Sequence, residues 1–138
     1  MDDCIFCKIV KGEIPSYKIY EDEKVLAFLD IRPLSKGHTL VLPKEHYENI
    51  LDIPEELYEY ISKIVKRVSK VIQDRYSPEG ILINQNNGKR AGQEVPHMHI
   101  HIKPIYENTK VLSEMDYRKE FSKEDMLKFQ KELTIKEL

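Results

Sequence analysis

Pro96-His97-Met98-His99-Ile100-His101-Ile102, followed by Lys103 and Pro104, is the stretch on which the fold turns. Its strict alternation predicts a β-strand over 97–102 that Pro104 closes. Side chains on a strand point to opposite faces with period two. His97, His99 and His101 therefore share one face, with neighbours about 6.5–7 Å apart. Met98, Ile100 and Ile102 take the other face and need an apolar layer to cover them. One segment supplies that layer. After Pro54-Glu55-Glu56, suited to a helical first turn, Leu57, Ile61, Ile64, Val65, Val68, Val71 and Ile72 recur at three- and four-residue steps. They form the apolar stripe of a helix of roughly 20 residues, about 30 Å long. Glu59, Lys63, Lys66, Arg67 and Lys70 lie on its other side, a solvated face.

Further strands are expected around this pair. Lys18 to Tyr20 and Val25 to Asp30 read as a hairpin across the charged turn Glu21-Asp22-Glu23-Lys24. Arg32 to Gly37 is a loop, His38 to Leu42 a third strand closed by Pro43, and Gly80 to Asn84 a fourth. The tail from Ser122 to Leu138 reads as a charged helix, opened by Ser122-Lys123-Glu124-Asp125, with Met126, Phe129 and Leu133 as a contact stripe. Strands gathered around one long helix give an α+β domain with a mainly antiparallel sheet of about five strands.

With 138 residues the chain suits a single domain, 1–138. A composition of 41% hydrophobic and 33% charged residues is that of a globular protein with a polar surface. The 22 Lys+Arg and 24 Asp+Glu leave a net charge of −2, which argues against nucleic-acid binding through a basic face. No apolar run approaches the roughly 18–20 residues that cross a bilayer, so no membrane partner is expected. The acidic start Met1-Asp2-Asp3-Cys4 has no apolar core of a secretory signal, so the cytoplasm is the expected compartment.

The chemistry-bearing residues are clustered. All five histidines fall in two segments, His38 and His46, then His97, His99 and His101, and the two cysteines are Cys4 and Cys7. Three imidazoles side by side need partners or water, and imidazole serves as metal ligand, acid-base group or nucleophile. Cys4-Ile5-Phe6-Cys7 is a C-x-x-C without the βαβ context of a redox motif. It can also be half of a tetrahedral zinc site, whose other two ligands would have to be histidines. Asn86-Asn87-Gly88 and Ala91-Gly92-Gln93, with Lys89 and Arg90, form a polar loop whose glycines allow close backbone approach and whose amides suit an anion such as phosphate. No Walker-type, G-x-S-x-G or H-E-x-x-H pattern is present.

Gly92 to Ile102 resembles the signature of the histidine triad (HIT) family, His-x-His-x-His-x-x with x apolar; the last apolar place holds Lys103 here. Asp30-Ile31-Arg32-Pro33, Gly37-His38-Thr39-Leu40, Pro43-Lys44 and His46 are similar to the family's first half, and Cys4-Ile5-Phe6-Cys7 to the zinc-binding N-terminus of many microbial members. The resemblance runs over about 4–104 and leaves the tail from Ile105 uncovered.

The resemblance implies a HIT-like fold and a homodimer paired through the long helix and a neighbouring strand. It implies a nucleotide hydrolase or transferase attacking the α-phosphate of an AMP-type purine nucleotide. His99 would be the nucleophile and form a nucleotidyl-imidazole that water cleaves. His101 would contact the α-phosphate, and His38 would complete the phosphate pocket. Asp30 would accept from ribose hydroxyls and Ile31 would line the base pocket. Asn86, Gly92, Gln93 and the Glu94 backbone would hold phosphate and ribose. An ionised Glu94 side chain cannot donate a hydrogen bond, unlike the Ser or Thr of many relatives. Cys4, Cys7, His46 and His97 would hold a structural zinc, leaving the other three histidines free. The expected substrate is a nucleoside phosphoramidate of the adenosine 5′-monophosphoramidate type, cleaved to AMP. The alternatives are a dinucleoside polyphosphate hydrolase, with Lys36, Lys89, Arg90 and the tail as sources of extra cations, a nucleotide-binding module with little turnover, and a metalloenzyme with zinc on His97, His99 and His101.

Overall fold

The structure is a computed structural model that describes residues 3–111 and 118–137. It is an α+β fold: α1 (Ile5–Val10), β1 (Lys18–Glu21), β2 (Val25–Leu29), β3 (Thr39–Pro43), α2 (Glu55–Tyr76), β4 (Gly80–Asn84), a 3₁₀ turn (Lys89–Ala91), β5 (Ile100–Ile105) and α3 (Lys123–Leu133). The five strands form one antiparallel sheet in the order β1-β2-β3-β5-β4.

The long helix covers one face of this sheet. Ile61, Ile64, Val65, Val68 and Ile72 are buried against Val25, Ala27 and Val41 of the strands and against Met98, Ile100 and Ile102. Glu55 and Glu56 in the first turn and Arg75 in the last complement the helix dipole, and Ser77 ends the helix in the left-handed region at φ 47°. Leu57 packs at the edge of the core. Val71, expected in the stripe, is 57% exposed, because it sits at the margin of the face that the sheet covers. A second apolar layer, built from Cys4, Phe6, Cys7 and Ile9 with Leu26, Phe28, Leu40 and Leu42, covers part of the opposite face.

Several boundaries differ from the sequence reading: β1 runs on to Glu21, β2 ends at Leu29 before Asp30, and β3 begins at Thr39 after His38. The strand expected at 97–102 begins at Ile100 and continues through Pro104 to Ile105. Upstream, the Met98 N–H donates to the Tyr47 carbonyl (2.7 Å) and the His97 N–H to the Val95 carbonyl (2.8 Å), so this segment bends against the loop after β3 instead of joining the ladder. Pairing with β3 ends at Thr39↔Ile102, so no β3 partner waits for the N–H that Pro104 lacks. Pro43 is the last residue of β3 rather than its terminator. The tail helix stops at Leu133, with the Ser122 hydroxyl accepting the Asp125 N–H as its cap. Its expected contact stripe is solvent-facing: Met126 and Leu133 are exposed, and Phe129 meets only Phe121, edge-on at 5.2 Å, among the ring contacts of the described residues.

Helix α1 is absent from the sequence reading. Its six residues show no periodic signal, and it begins at the Cys4 sulfur, which accepts the Cys7 N–H at 3.4 Å.

Candidate active site

The sheet register builds the site. Phe28 pairs with Leu40, Leu40 with His101, and His101 with Asn84, so these four residues form a row across the face opposite α2. All four line a cleft of about 640 Å³ that His99 and Lys103 also line, a size suited to a small-molecule ligand. Helix α1 walls one side. Phe6 stands edge-on to Phe28 at 5.7 Å and to His99 at 5.0 Å between ring centres, and Ile9 and Ile14 extend the apolar surface.

Hydrogen bonds decide the tautomers of the three histidines in the cleft region. Nδ1 of His99 lies 2.7 Å from the His97 carbonyl oxygen, which can only accept. Nδ1 therefore carries the proton and Nε2 the free lone pair. The Leu34 N–H donates to Nδ1 of His38 at 2.9 Å, so Nε2 of His38 bears its proton. That Nε2 lies 3.0 Å from Nδ1 of His101 and donates to it, which leaves the proton of His101 on Nε2. The same Nε2 of His38 is 3.6 Å from Asp30 Oδ2. The result is one ring with a free Nε2 lone pair beside another with an Nε2–H, their centres 5.0 Å apart.

Burial disfavours the charged form of all three rings. It pushes His99 below the ordinary imidazole range, against the His97 carbonyl and the carboxylates of Asp30 and Glu94. It brings His101 down to about 4, helped by the positive charges that His99, Lys103 and His38 would carry and opposed by Asp30. His38 is lowered by burial and Lys103, with Asp30 opposing.

The remaining expected residues divide into two groups. Asp30, Ile31, Asn86, Gly92 and Glu94 line the cleft. Asp30 Oδ1 accepts the Arg32 N–H at 2.9 Å, and Ile31 is 76% exposed at the rim. The Asn86 amide donates to the Ala91 carbonyl at 2.6 Å and accepts from Asn84 at 2.7 Å. Gln93 does not line the cleft. Its buried amide donates to the carbonyls of Glu48 (2.6 Å) and Val95 (3.0 Å) and accepts the Gly88 N–H (2.8 Å), so it ties the loop to the body.

Cys4, Cys7, His46 and His97 meet in a separate cluster, with their donor atoms within 4.8 Å of one another. His97 is fully buried. Its Nε2–H donates to the Pro43 carbonyl at 2.8 Å, which turns a bare Nδ1 toward the sulfurs of Cys4 (3.5 Å) and Cys7 (3.6 Å). His46 Nδ1 is 3.3 Å from the Cys7 sulfur. A tetrahedral zinc with bonds of about 2.3 Å to sulfur and 2.0–2.1 Å to nitrogen has S···N edges of about 3.5 Å, so the donor set fits this ion. Burial, together with the Cys4 thiol, raises the Cys7 thiol to about 11. Because His97 Nδ1 belongs to this cluster, a metal site on His97, His99 and His101 is not what the geometry assembles. A second grouping, Asp30, His38 and His101, is the hydrogen-bonded set already described.

The HIT domain matches residues 11–108 of this sequence. The chain belongs to the HIT family. It is 50% identical over 101 residues to the adenosine 5′-monophosphoramidase hnt1 of Schizosaccharomyces pombe, covering 73% of each chain. A HIT family structure from Bacillus subtilis is similar with a TM-score of 0.82 and 42% identity, over 95% of this chain and 94% of that one. A zinc-bound histidine triad protein from Mycobacterium smegmatis is similar with a TM-score of 0.76 and 36% identity, over 90% and 87%.

This HIT protein lines its cleft with residues that the sequence reading left out. Asn84 is a strand end by its sequence pattern, yet the register sets it beside His101, and its Oδ1 is buried without a hydrogen-bond partner among the described residues. Ser16 Oγ is likewise buried and unpartnered. Phe6 and Ile9 could be placed only once α1 was known. For Lys103 a signal was present in the sequence: it continues the His99, His101 alternation.

Proposed function

We propose that this HIT protein hydrolyses nucleoside phosphoramidates of the adenosine 5′-monophosphoramidate type at the α-phosphorus, through a covalent nucleotidyl-His99, releasing AMP. The observation that carries this reading is the free Nε2 lone pair of His99, held by the Nδ1–H bond to the His97 carbonyl and set in a cleft beside the Nε2–H of His101.

In the first step the Nε2 lone pair forms a bond to phosphorus. The P–N bond breaks, and its electron pair leaves on the amine nitrogen, which takes up a proton. In the second step water adds to phosphorus, the P–Nε2 bond breaks, and the water proton released balances the one consumed. A neutral imidazole is a competent nucleophile, and burial keeps His99 neutral. His101 donates its Nε2–H to a phosphate oxygen, and His38 holds His101 in that tautomer. Asp30 keeps Oδ2 available for ribose hydroxyls. The base lies against Ile31 and the apolar wall of Phe6 and Ile9, and Asn84, Asn86, Gly92 and the Glu94 backbone lie around phosphate and ribose. Gln93 supports this loop from behind.

Cys4, Cys7, His46 and His97 would hold zinc, which when bound cross-links the N-terminus to the segment carrying His99. A second copy of the chain would pack on the outer edge at β4 and α2. No helix among the described residues is long and apolar enough to cross a membrane.

The test is hydrolysis of adenosine 5′-monophosphoramidate by wild type and His99→Ala, both shown to be folded and metal-loaded. The variant should lose more than about 10³-fold in kcat. Intact-mass analysis of quenched wild type should show an added adenylyl group. Equal turnover by both proteins, or turnover without the adduct in a rapid-quench series, would overturn the nucleophile assignment.

A further inference from the structure

Helix α1 serves two sites at once. Cys4 and Cys7 bring their sulfurs to His46 and His97, while Ile5 and Phe6 between them, and Ile9 beyond, line the cleft. Phe6 is where the two meet. Its buried ring stands edge-on to three others: His97 of the cysteine–histidine cluster at 5.9 Å, His99 at 5.0 Å and Phe28 at 5.7 Å between centres. Aromatic rings favour this arrangement over a face-to-face sandwich, so a shift of Phe6 disturbs the metal-binding cluster and the cleft together.

The helix does not hold this position by itself. It has six residues, and isolated helices shorter than about 12–15 residues are marginal in water. Its backbone hydrogen bonds run within the segment, from the Lys8 N–H to the Cys4 carbonyl, the Lys11 N–H to the Cys7 carbonyl and the Gly12 N–H to the Ile9 carbonyl. Two attachments reach the body. One is apolar, Phe6 and Ile9 against Leu26, Phe28, Leu40 and Leu42. The other is the pair of sulfurs, 3.3–3.6 Å from ring nitrogens of His46 and His97.

The two attachments differ in kind. Apolar burial is non-directional, so it holds α1 on the sheet without fixing its rotation. Ligand bonds of set length and tetrahedral angle do fix it. Cys4 and Cys7 flank Phe6 within one turn, so fixing their sulfurs also fixes the direction of the Phe6 ring.

We infer that Phe6 couples the two sites: with Cys4 and Cys7 ligated, its ring is set as the wall for the base, so that metal and nucleotide bind with positive cooperativity. This rests on the nucleotide reading proposed above. Such coupling is reciprocal, so the nucleotide tightens metal binding by the same factor by which the metal tightens nucleotide binding.

The experiment measures that factor from both sides, with AMP and zinc as the probes. Calorimetric titration with AMP compares zinc-loaded protein with protein stripped by a chelator and shown by circular dichroism to keep its fold. The Kd should rise about fivefold or more on stripping. The second measurement needs no stripped protein: zinc-loaded wild type competes with a chromophoric chelator, without AMP and with saturating AMP. Its zinc affinity should rise with AMP by a like factor. Phe6→Leu keeps all four ligands and should still hold about one zinc per chain. At AMP concentrations that saturate it, the shift in its zinc affinity should largely disappear. A shift as large as in wild type overturns the role of Phe6 and assigns the coupling to another route. An AMP Kd that is the same with and without zinc, or a zinc affinity that AMP leaves unchanged, overturns the coupling while the nucleotide reading stands. If zinc-loaded wild type does not bind AMP, both fall.

Discussion

Nδ1 of His99 lies 2.7 Å from the carbonyl oxygen of His97, and the Nδ1 of His97 itself faces the sulfurs of Cys4 and Cys7. His97 thus belongs to the cluster with Cys4, Cys7 and His46 through its ring and holds the proton of His99 on Nδ1 through its backbone. Any loosening of the cluster is felt one peptide away from the chemistry.

Cys4→Ser should therefore do two things. Bound zinc, measured by elemental analysis, should fall from about one per chain to a small fraction. The melting temperature should drop by about 10 °C or more, because metal binding free energy at such a site is folding free energy. Activity should fall with metal content rather than vanish, since Cys4 touches no substrate. Full zinc retention in the folded variant would show that the four-residue assignment is wrong.

His101 gives a pH prediction with a definite sign. It faces His99 and Lys103 from its own segment, His38 from the residue before β3 and Asp30 from the residue after β2, and burial brings its pKa down to about 4. An unfolded histidine titrates near 6.5. Between these values the unfolded chain binds the extra proton, so this group's contribution makes stability fall as pH drops from about 6.5 to about 4. In His101→Gln that slope is removed. Urea midpoints of wild type and variant should run parallel above pH 7 and converge, or cross, as pH falls below 6.5. Parallel curves throughout would show that His101 is not held neutral by the fold.

Gly92 has φ +91°, and a Cβ there would lie 3.0 Å from the Asn86 amide nitrogen. That amide is committed to the Ala91 carbonyl. Gly92→Ala should cost about 1–3 kcal/mol in chemical denaturation from backbone strain. It should also weaken AMP binding in calorimetry, because Asn86 must move. Unchanged stability and affinity would show that the loop relaxes freely.

Most of this architecture was legible because two periodicities did not compete. The 2.0 period of His97 to Ile102 and the 3.6 period of Leu57 to Ile72 each needed the other's apolar face, and the structure joins them at Met98, Ile100 and Ile102. What the local pattern could not supply was tertiary. A bend at His97 and Met98 is set by the Tyr47 carbonyl, 51 residues away from Met98 in sequence. Helix α1 is too short to declare itself. Gln93 carries the same residue type as a ligand-binding amide, and only its three internal hydrogen bonds show that it supports the loop. Asn84 and Lys103 became visible as cleft residues once strand register put them beside His101 and His38.

Val71 leads to the last prediction. It belongs by spacing to the buried stripe of α2, yet is 57% exposed. Ile83 pairs with Ile102, so its side chain takes the helix side of the sheet, and it is still 48% exposed. Among the described residues β4 is an edge strand of the sheet, the kind of edge that offers its backbone to another strand. An uncovered apolar margin next to an open edge is what a second copy of the chain would close, extending the sheet across the pair. Wild type should therefore sediment as a dimer at micromolar concentration. Val71→Glu should weaken dimerisation at least about 100-fold, since a charge buried without a partner costs about 3–5 kcal/mol. The same change should leave the protomer's own core intact, because in the protomer Val71 already faces solvent. A wild type that is monomeric at micromolar concentration, or a Val71→Glu protein as dimeric as wild type, would place the contact elsewhere.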